Sequence, residues 1–317
     1  CPASEARRHK WFIAVTHMGH RTMGALRIAS QLADFIRQTR PCVVLFTYEG
    51  QSWERVLCKL VHDQMKDAFM IGYQHSVLTP GFRNIDARLG AGCDPDHILT
   101  AGKVTRAMLI DQSNFTANEI DVLGSPKTIT IDNTKIQSFS GTVLGVPEGQ
   151  LSEVRIISEW LLVGARANAD VKFVLRLHPL TNKAYVLENC PELNSAPENF
   201  QVSEAPLQDD LEAASWLLYR GSSIALNALV KHVRPIYVNT DNSYALTNIV
   251  DPSLKWCRVF QNTDQLTRQI NEDRLNERVA SQIELDALAK ASKYGADYFV
   301  PFNLSPILKA LKAQPVE

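Results

Sequence analysis

The sequence predicts an α/β protein built on parallel sheets, and three observations carry that expectation. Short β-branched runs alternate with longer segments of helical period. Turn-forming residues recur where those runs end. At 317 residues the chain is long enough for two ordinary domains. The composition agrees, since 45% hydrophobic and 21% charged residues belong to a globular chain, not to a disordered, collagenous or coiled-coil one.

Lys10–Thr16 and Cys42–Thr47 are apolar runs of strand length. Between them Gly24–Thr39 spaces Leu26, Ile28, Ala29, Leu32, Ala33 and Ile36 at near-helical intervals. Ser52–Ala68 reads as the next helix, with Ser52 as its N-cap and Glu54 and Arg55 in its first turn. Phe69–Tyr73, His97–Thr100 and Ile120–Leu123 are further strands. Residues 124–141 turn polar and read as a connection between domains, with room for a strand. The alternation then restarts with strand Thr142–Val146, helix Gln150–Ala167 and strand Val171–Leu177. Phe200–Val202, helix Leu207–Ala213, strand Trp216–Tyr219, helix Ser222–His232 and strand Pro235–Val238 follow. Thr263–Asn271 and Arg274–Lys293 are expected to be helical, and Pro306–Lys312 a short last helix with Pro in its first turn. The expected domains are residues 1–128 and 129–299, two Rossmann-like halves with parallel sheets facing a cleft. Residues 300–317 either complete the first domain or rest on a membrane surface, and packing on the first domain is the favoured placement.

Several classes are excluded. A net charge of −1 with scattered signs leaves no electrostatic footprint for nucleic acid. No run approaches the ~20 apolar residues of a spanning helix. The six cysteines stand far apart without a C-x-x-C pair, which removes zinc-ribbon and thioredoxin-like readings. Cys42 and Cys58 lie in apolar stretches and read as buried thiols of a reducing compartment. No secretory pattern is visible, so a cytoplasmic protein is expected. The start at Cys1-Pro2 without Met reads as an excised piece of something longer. The Gly-rich phosphate loops and the G-x-S-x-G elbow are missing, and Asp94-Pro95-Asp96 reads as a polar turn, not a metal site.

Ligands of open parallel sheets bind at the carboxyl ends of strands, so chemistry is sought there. In Leu175-Arg176-Leu177-His178-Pro179 the proline ends a strand and holds an imidazole at its end. A protonated imidazole can bind a leaving phosphate and give it a proton. Arg220-Gly221-Ser222-Ser223 places a cation, a glycine and two hydroxyls at a helix start, a natural phosphate site, although Ser222 as a plain N-cap explains it too. Pro147 and Glu148 open the second half in a turn suited to a base or ribose. In Tyr48-Glu49-Gly50-Gln51-Ser52-Trp53-Glu54 the Glu49 carboxylate is mounted at a strand end as a base or nucleophile. Trp53 and Glu54 read as packing and dipole complement. Gln51, Gln74 and His75 bring polar groups to the same edge for a sugar or acceptor.

Taken in order, YEGQSWE, IGYQHS, GVPEG, RLHP and YRGSS resemble bacterial surface-carbohydrate glycosyltransferases of GT-B type that use CMP-sugars, above all the Kdo transferases of capsule and lipopolysaccharide assembly. More distantly the His-Pro motif and the serine pair are similar to those of bacterial sialyl- and polysialyltransferases. The resemblance implies that His178, Ser222 and Ser223 bind the CMP phosphate and that Glu49 is the catalytic carboxylate. It implies transfer of Kdo or a related nonulosonic acid from a CMP-sugar to a glycan or lipid-linked glycan acceptor, at or near the inner membrane. A monophosphate leaving group needs less neutralisation than a diphosphate, so neither metal nor other cofactor is expected. Glu49 would either deprotonate the acceptor, giving inversion, or attack the anomeric carbon, giving retention. The likeness to β-Kdo enzymes favours retention. The alternatives are a UDP-sugar transferase or sugar-nucleotide 2-epimerase on the same scaffold, or a non-catalytic sugar-nucleotide-binding domain of a larger polymerase.

Overall fold

The structure, a computed structural model, describes residues 20–78, 84–128, 141–240, 248–275 and 282–312. The expected strand Lys10–Thr16 and any strand in 129–140 lie outside the described residues. The chain divides into two compact units, the first comprising residues 1–76, 82–126 and 301–317, the second residues 77–81 and 127–300.

In the first unit, helix α1 (His20–Thr39) leads to β1 (Val43–Thr47), α2 (Ser52–Gln64), β2 (Phe69–Gln74), β3 (His97–Thr100), α3 (Lys103–Gln112) and β4 (Ile120–Val122). The four strands form one parallel sheet in the order β1-β2-β3-β4, with Leu45 opposite Ile71 and Gly72 opposite Ile98. Successive strand residues face opposite sides, so the buried pair Met70 and Ile71 serves two layers. Met70 packs with Ala29, Ala33 and Ile36 of α1 and Leu57, Cys58 and Val61 of α2. Ile71 packs with Leu99 and Leu123, against which Ile307 of the last helix, Ser305–Lys312, also lies. Covered faces explain why β2 and β3 read as continuous apolar runs, whereas Leu45 of β1 is 50% exposed. Cys58 is buried, and its thiol is held protonated by desolvation, whereas Cys42, one residue before β1, is exposed. That corrects the sequence expectation for Cys42.

The second unit holds β5 (Thr142–Val146), α4 (Leu151–Ala167), β6 (Lys172–Leu175), α5 (Lys183–Asn189), β7 (Phe200–Val202), α6 (Leu207–Ala213), β8 (Trp216–Tyr219), α7 (Ile224–Val230), β9 (Arg234–Val238), β10 (Arg258–Phe260), α8 (Thr263–Leu275) and α9 (Gln282–Tyr298). Its six strands are all parallel, in the order β10-β9-β8-β5-β6-β7. The chain leaves β5 to one side for β6 and β7, then returns to its other side for β8. The β5/β8 boundary is therefore a topological switch point. Val154, Ile157 and Leu161 of α4 bury one face against Phe173, Trp216 and Leu218. Full burial of a side chain such as Ile157 contributes roughly 1.5–3 kcal/mol. Gly145 makes that packing close, because a Cβ there would lie 2.5 Å from Leu161 Cδ1.

Among the α-helices and strands of the described residues, α3, α5 and β10 were not expected from the sequence. Only Thr105 and Leu109 of α3 are buried, and only Val186 of α5, so neither shows a full apolar stripe. β10 is three residues long, too short for an alternation to register.

Candidate functional site

The carboxyl edge of the first sheet carries Glu49, Gln51, Gln74 and His75. Gly50 turns the chain at φ +76, and a Cβ there would meet the backbone of Asn84 and Ile85 at 2.6 Å, so glycine is required on both counts. The helix that follows is capped by Gln51, not by Ser52. Gln51 is extended, and the Glu54 carboxylate turns back to accept the N–H groups of Gln51 at 2.7 Å and Glu49 at 2.9 Å. A carboxylate three residues into the helix thus does the work expected of a serine hydroxyl. Burial raises the Glu54 carboxyl above its ordinary value, with those N–H groups opposing.

Arg55 anchors the other side of the same turn. Its Nε donates to Gly50 O at 3.1 Å, and its Nη2 to Asn84 O and Ala87 O, each at 2.6 Å. Its Nη1 pairs with buried Asp94, which also accepts from the Tyr48 hydroxyl at 3.2 Å and Gly90 N at 2.6 Å. Burial pushes the Tyr48 phenol far above its ordinary value. The sequence reading placed Arg55 in the first turn of the helix without a partner and took Asp94 as part of a polar turn. Their partnership spans 39 positions and leaves no local signal.

Within this frame Glu49 keeps its side chain half exposed. His75 Nδ1 lies 4.0 Å from Glu49 Oε1, and the His75 ring stacks at a tilt 6.0 Å from Tyr73. Gln74 is fully buried and donates through Nε2 to Ser76 O at 2.5 Å, leaving Oε1 without a hydrogen-bond partner. Gln51 is exposed.

The carboxyl edge of the second sheet carries the remaining candidates, on the adjacent strands β8, β5 and β6. His178 is partly buried, three residues beyond β6, and its Nδ1 accepts from Leu180 N at 3.2 Å, which assigns the ring proton to Nε2. The loop after β5 touches it, for a Cβ on Gly149 would lie 3.4 Å from His178 Nδ1. Pro147 is buried and Glu148 partly so.

Arg176 and Arg220, which the sequence reading placed among the nucleotide- and phosphate-binding residues, are committed elsewhere. Arg220 is 2% exposed, and its Nη1 donates to Thr240 Oγ1 at 2.7 Å and Val238 O at 3.1 Å. Its Nε stands 2.7 Å from Glu153 Oε2 as an ion pair without hydrogen-bond alignment. That pair bridges α4 and the end of β8 at the switch point, so the guanidinium expected to face a phosphate is an internal strut. Arg176 donates through Nη1 to Asp210 Oδ2 at 2.7 Å and Ala205 O at 2.6 Å. Its carboxylate partner is one that charge counting along the sequence cannot reveal.

The serine pair is placed where it was expected, but its helix is not. α7 begins at Ile224 and runs seven residues, so the helix dipole contributes less than a start at Ser222 implies. Ser222 Oγ is reached by Ile224 N only at 3.5 Å, and Ser223, the cap residue, makes no capping side-chain bond. The hydroxyls themselves are what this loop offers. Among the described residues no group of three or more His, Cys, Asp or Glu side chains is arranged to hold a metal, and no helix is long and apolar enough to cross a membrane.

Burial raises the Glu148 carboxyl, opposed by the His178 charge and reinforced by Glu153. The native state therefore holds more protons than the unfolded chain between the ordinary carboxylate value and the raised one. Stability is greatest below that window and falls as pH rises through it. Glu148→Gln is expected to flatten the slope of melting temperature against pH above about 4.5. An unchanged slope contradicts this account of Glu148.

No protein-family model matches the sequence, and no curated protein does. Solved structures do match. The glycotransferase of kitacinnamycin aligns with a TM-score of 0.58 at 14% identity, over 92% of this chain and 80% of that one. The UDP-GlcNAc 2-epimerase from Neisseria meningitidis bound to UDP-GlcNAc aligns at 0.55 and 13%, over 93% and 82%. The S. aureus MnaA–UDP structure aligns at 0.57 and 12%, over 91% and 78%. The chain has the GT-B fold. In the second Rossmann-like unit the loops after β8, β5 and β6 stand side by side at the β5/β8 switch point, the kind of edge at which open parallel sheets bind ligands.

Proposed function

We propose that the chain is a glycosyltransferase that takes a sugar nucleotide, a UDP-sugar, at the carboxyl edge of its second unit. The observation that carries the reading is the convergence of three loops on adjacent strands at a switch point: Pro147–Gly149, His178 and Gly221–Ser223. His178 Nε2 and the hydroxyls of Ser222 and Ser223 supply donors for a departing phosphate. The base or ribose lies against Pro147 and Glu148. The choice of UDP is supported by the fold's neighbours, two of which are described with UDP or UDP-GlcNAc. On the first unit Glu49 is the candidate catalytic carboxylate, with Gln51 and His75 toward the acceptor, whereas Gln74, expected there too, is fully buried and braces the loop at Ser76. A 2-epimerase would use the same nucleotide edge with no acceptor, so consumption of donor that requires an added acceptor separates the two activities.

A second reading, transfer of Kdo or another nonulosonic acid from a CMP-sugar, is favoured by a specific observation. Arg176 is paired with Asp210 and Arg220 with Glu153, so neither guanidinium is left to neutralise a diphosphate, and a monophosphate asks for less charge. The test is thermal stabilisation by UDP, UDP-GlcNAc, CMP and AMP at matched concentration. Stabilisation by UDP supports the first reading, by CMP alone the second, and by none or by all equally contradicts both.

A further inference from the structure

We propose that His62 is a pH-sensitive clamp: as an imidazolium it ties the end of α2 to the loop that enters β3, and through that loop it steadies the turn that carries Glu49. The inference goes beyond the glycosyltransferase reading and does not depend on it, since every residue involved lies in the first unit.

His62 stands in the last turn of α2, and both of its ring nitrogens face oxygen acceptors. Nδ1 is 2.8 Å from the carbonyl oxygen of Gly92, and Nε2 is 3.2 Å from Asp96 Oδ2. A neutral imidazole has one N–H and can serve only one of the two. The ring that serves both carries two protons and a charge. The carboxyl-terminal end of a helix favours that charge as well. The other groups around the ring leave the pairing intact. On α2 itself Asp63 is paired with Lys59, and Cys58, one turn earlier, is a thiol kept protonated by desolvation. From the entering loop Arg88 is spent on Glu119, with Nη2 2.6 Å from Oε1, and Asp94 on Arg55. Asp96 is the carboxylate that meets the imidazolium, and its hydrogen bond raises the His62 value above the ordinary one, with burial opposing.

The loop needs such a tie. Gly90, Ala91 and Gly92 all lie in the left-handed region, at φ +68, +50 and +81. Glycine adopts that region freely and alanine does not, so the loop is held in a shape its own sequence disfavours at Ala91. It is closed by Cys93 N–H on Gly90 O at 2.9 Å, by Gly90 N–H on Asp94 Oδ2 at 2.6 Å, and by His62 on Gly92 O. Asp94 then pairs with Arg55, whose Nε donates to Gly50 O at 3.1 Å. A chain of bonded residues thus runs from the imidazole to the turn beneath Glu49.

The His62 side chain is 21% exposed on a cleft of about 340 Å³, so the ring exchanges its proton with solvent. Once that proton leaves, a nitrogen lone pair faces either Gly92 O or Asp96 Oδ2, whichever tautomer remains. One of the two ties then becomes a repulsion. Because the folded value is raised, the stability this clamp supplies is complete below about pH 6.5 and is lost as pH rises through the folded midpoint.

NMR titration of the whole chain tests this, with the His62 ring nitrogens assigned by difference from His62→Gln. Both nitrogens are expected to be protonated below about pH 6.5, with a midpoint above that value that falls in Asp96→Asn. The Arg55 Nε–H and Gly50 N–H resonances are expected to shift with the same midpoint in the wild type and to stay still over that range in His62→Gln. The melting temperature of the wild type is expected to decline more steeply above about pH 6.5 than that of His62→Gln. A His62 midpoint at or below about 6.5, a midpoint unmoved by Asp96→Asn, or equal slopes in the two proteins overturns the clamp. Arg55 and Gly50 resonances that ignore the titration overturn its reach to Glu49. None of these results bears on nucleotide binding, which is judged separately.

Discussion

Arg55→Met is expected to cost about 3–5 kcal/mol of stability, a large part of a typical domain's total. The substitution keeps the length of the side chain and removes its charge. Asp94 would remain buried with only the Tyr48 hydroxyl and Gly90 N–H as partners. The backbone carbonyls of Gly50 and Ala87 would lose the guanidinium as donor, and that of Asn84 would keep only the Ala87 N–H at 3.4 Å. The unmet acceptor costs about 1–3 kcal/mol at buried Gly50, where solvent cannot reach it, and less at Asn84 and Ala87, which are exposed. Urea unfolding is the measurement. Arg55→Met combined with Asp94→Leu should recover part of the loss, since no charge is then stranded. A single-variant loss below about 1 kcal/mol would show that the network is not what holds the turn beneath Glu49.

Arg220→Met should produce a loss of similar size, about 3–5 kcal/mol, in the second unit. Glu153 is 6% exposed and would be left without its cation, and Val238 O and Thr240 Oγ1 would lose a donor. The same variant separates two roles for this arginine. As a strut at the switch point its removal lowers the melting temperature, and Glu153→Leu in the same chain restores part of it. As a phosphate ligand its removal would weaken nucleotide binding and leave stability near wild type. A normal melting temperature together with lost binding would overturn the structural role.

Much of the fold was legible because its strands are short, apolar and closed by turn residues. His97–Thr100, Thr142–Val146, Phe200–Val202 and Trp216–Tyr219 appear with the bounds read from the sequence. Helix α4, with a full stripe, was equally clear, and α1 is present although only Ala29, Ala33 and Ile36 of its spaced residues are buried and Leu26, Ile28 and Leu32 are exposed. What failed was set by partners distant in sequence. The cap of α2 is Gln51 because Glu54 folds back, a choice that depends on the Gly50 turn and on Arg55 beneath it. α7 starts two residues late because the chain at Ser222 and Ser223 is still turning. Strand order, and with it the switch point, is a property of pairing and is not written in any one segment. The candidate site divides in the same way. Residue types at strand ends pointed to Glu49, His75, His178 and the serine pair. The ion pairs that withdraw Arg176 and Arg220 from the edge join residues 34 positions apart in one case and an α4 carboxylate in the other. Nothing local announces them.

The most direct measurement is calorimetric titration of UDP and of CMP into the wild type, His178→Ala and the double variant Ser222→Ala/Ser223→Ala. Binding of one nucleotide to the wild type is expected, with Kd raised about 10- to 100-fold in each variant, the loss of one charge-assisted hydrogen bond or two neutral ones. Equal affinity in all three proteins would place the nucleotide away from the β5/β8 edge and contradict the account.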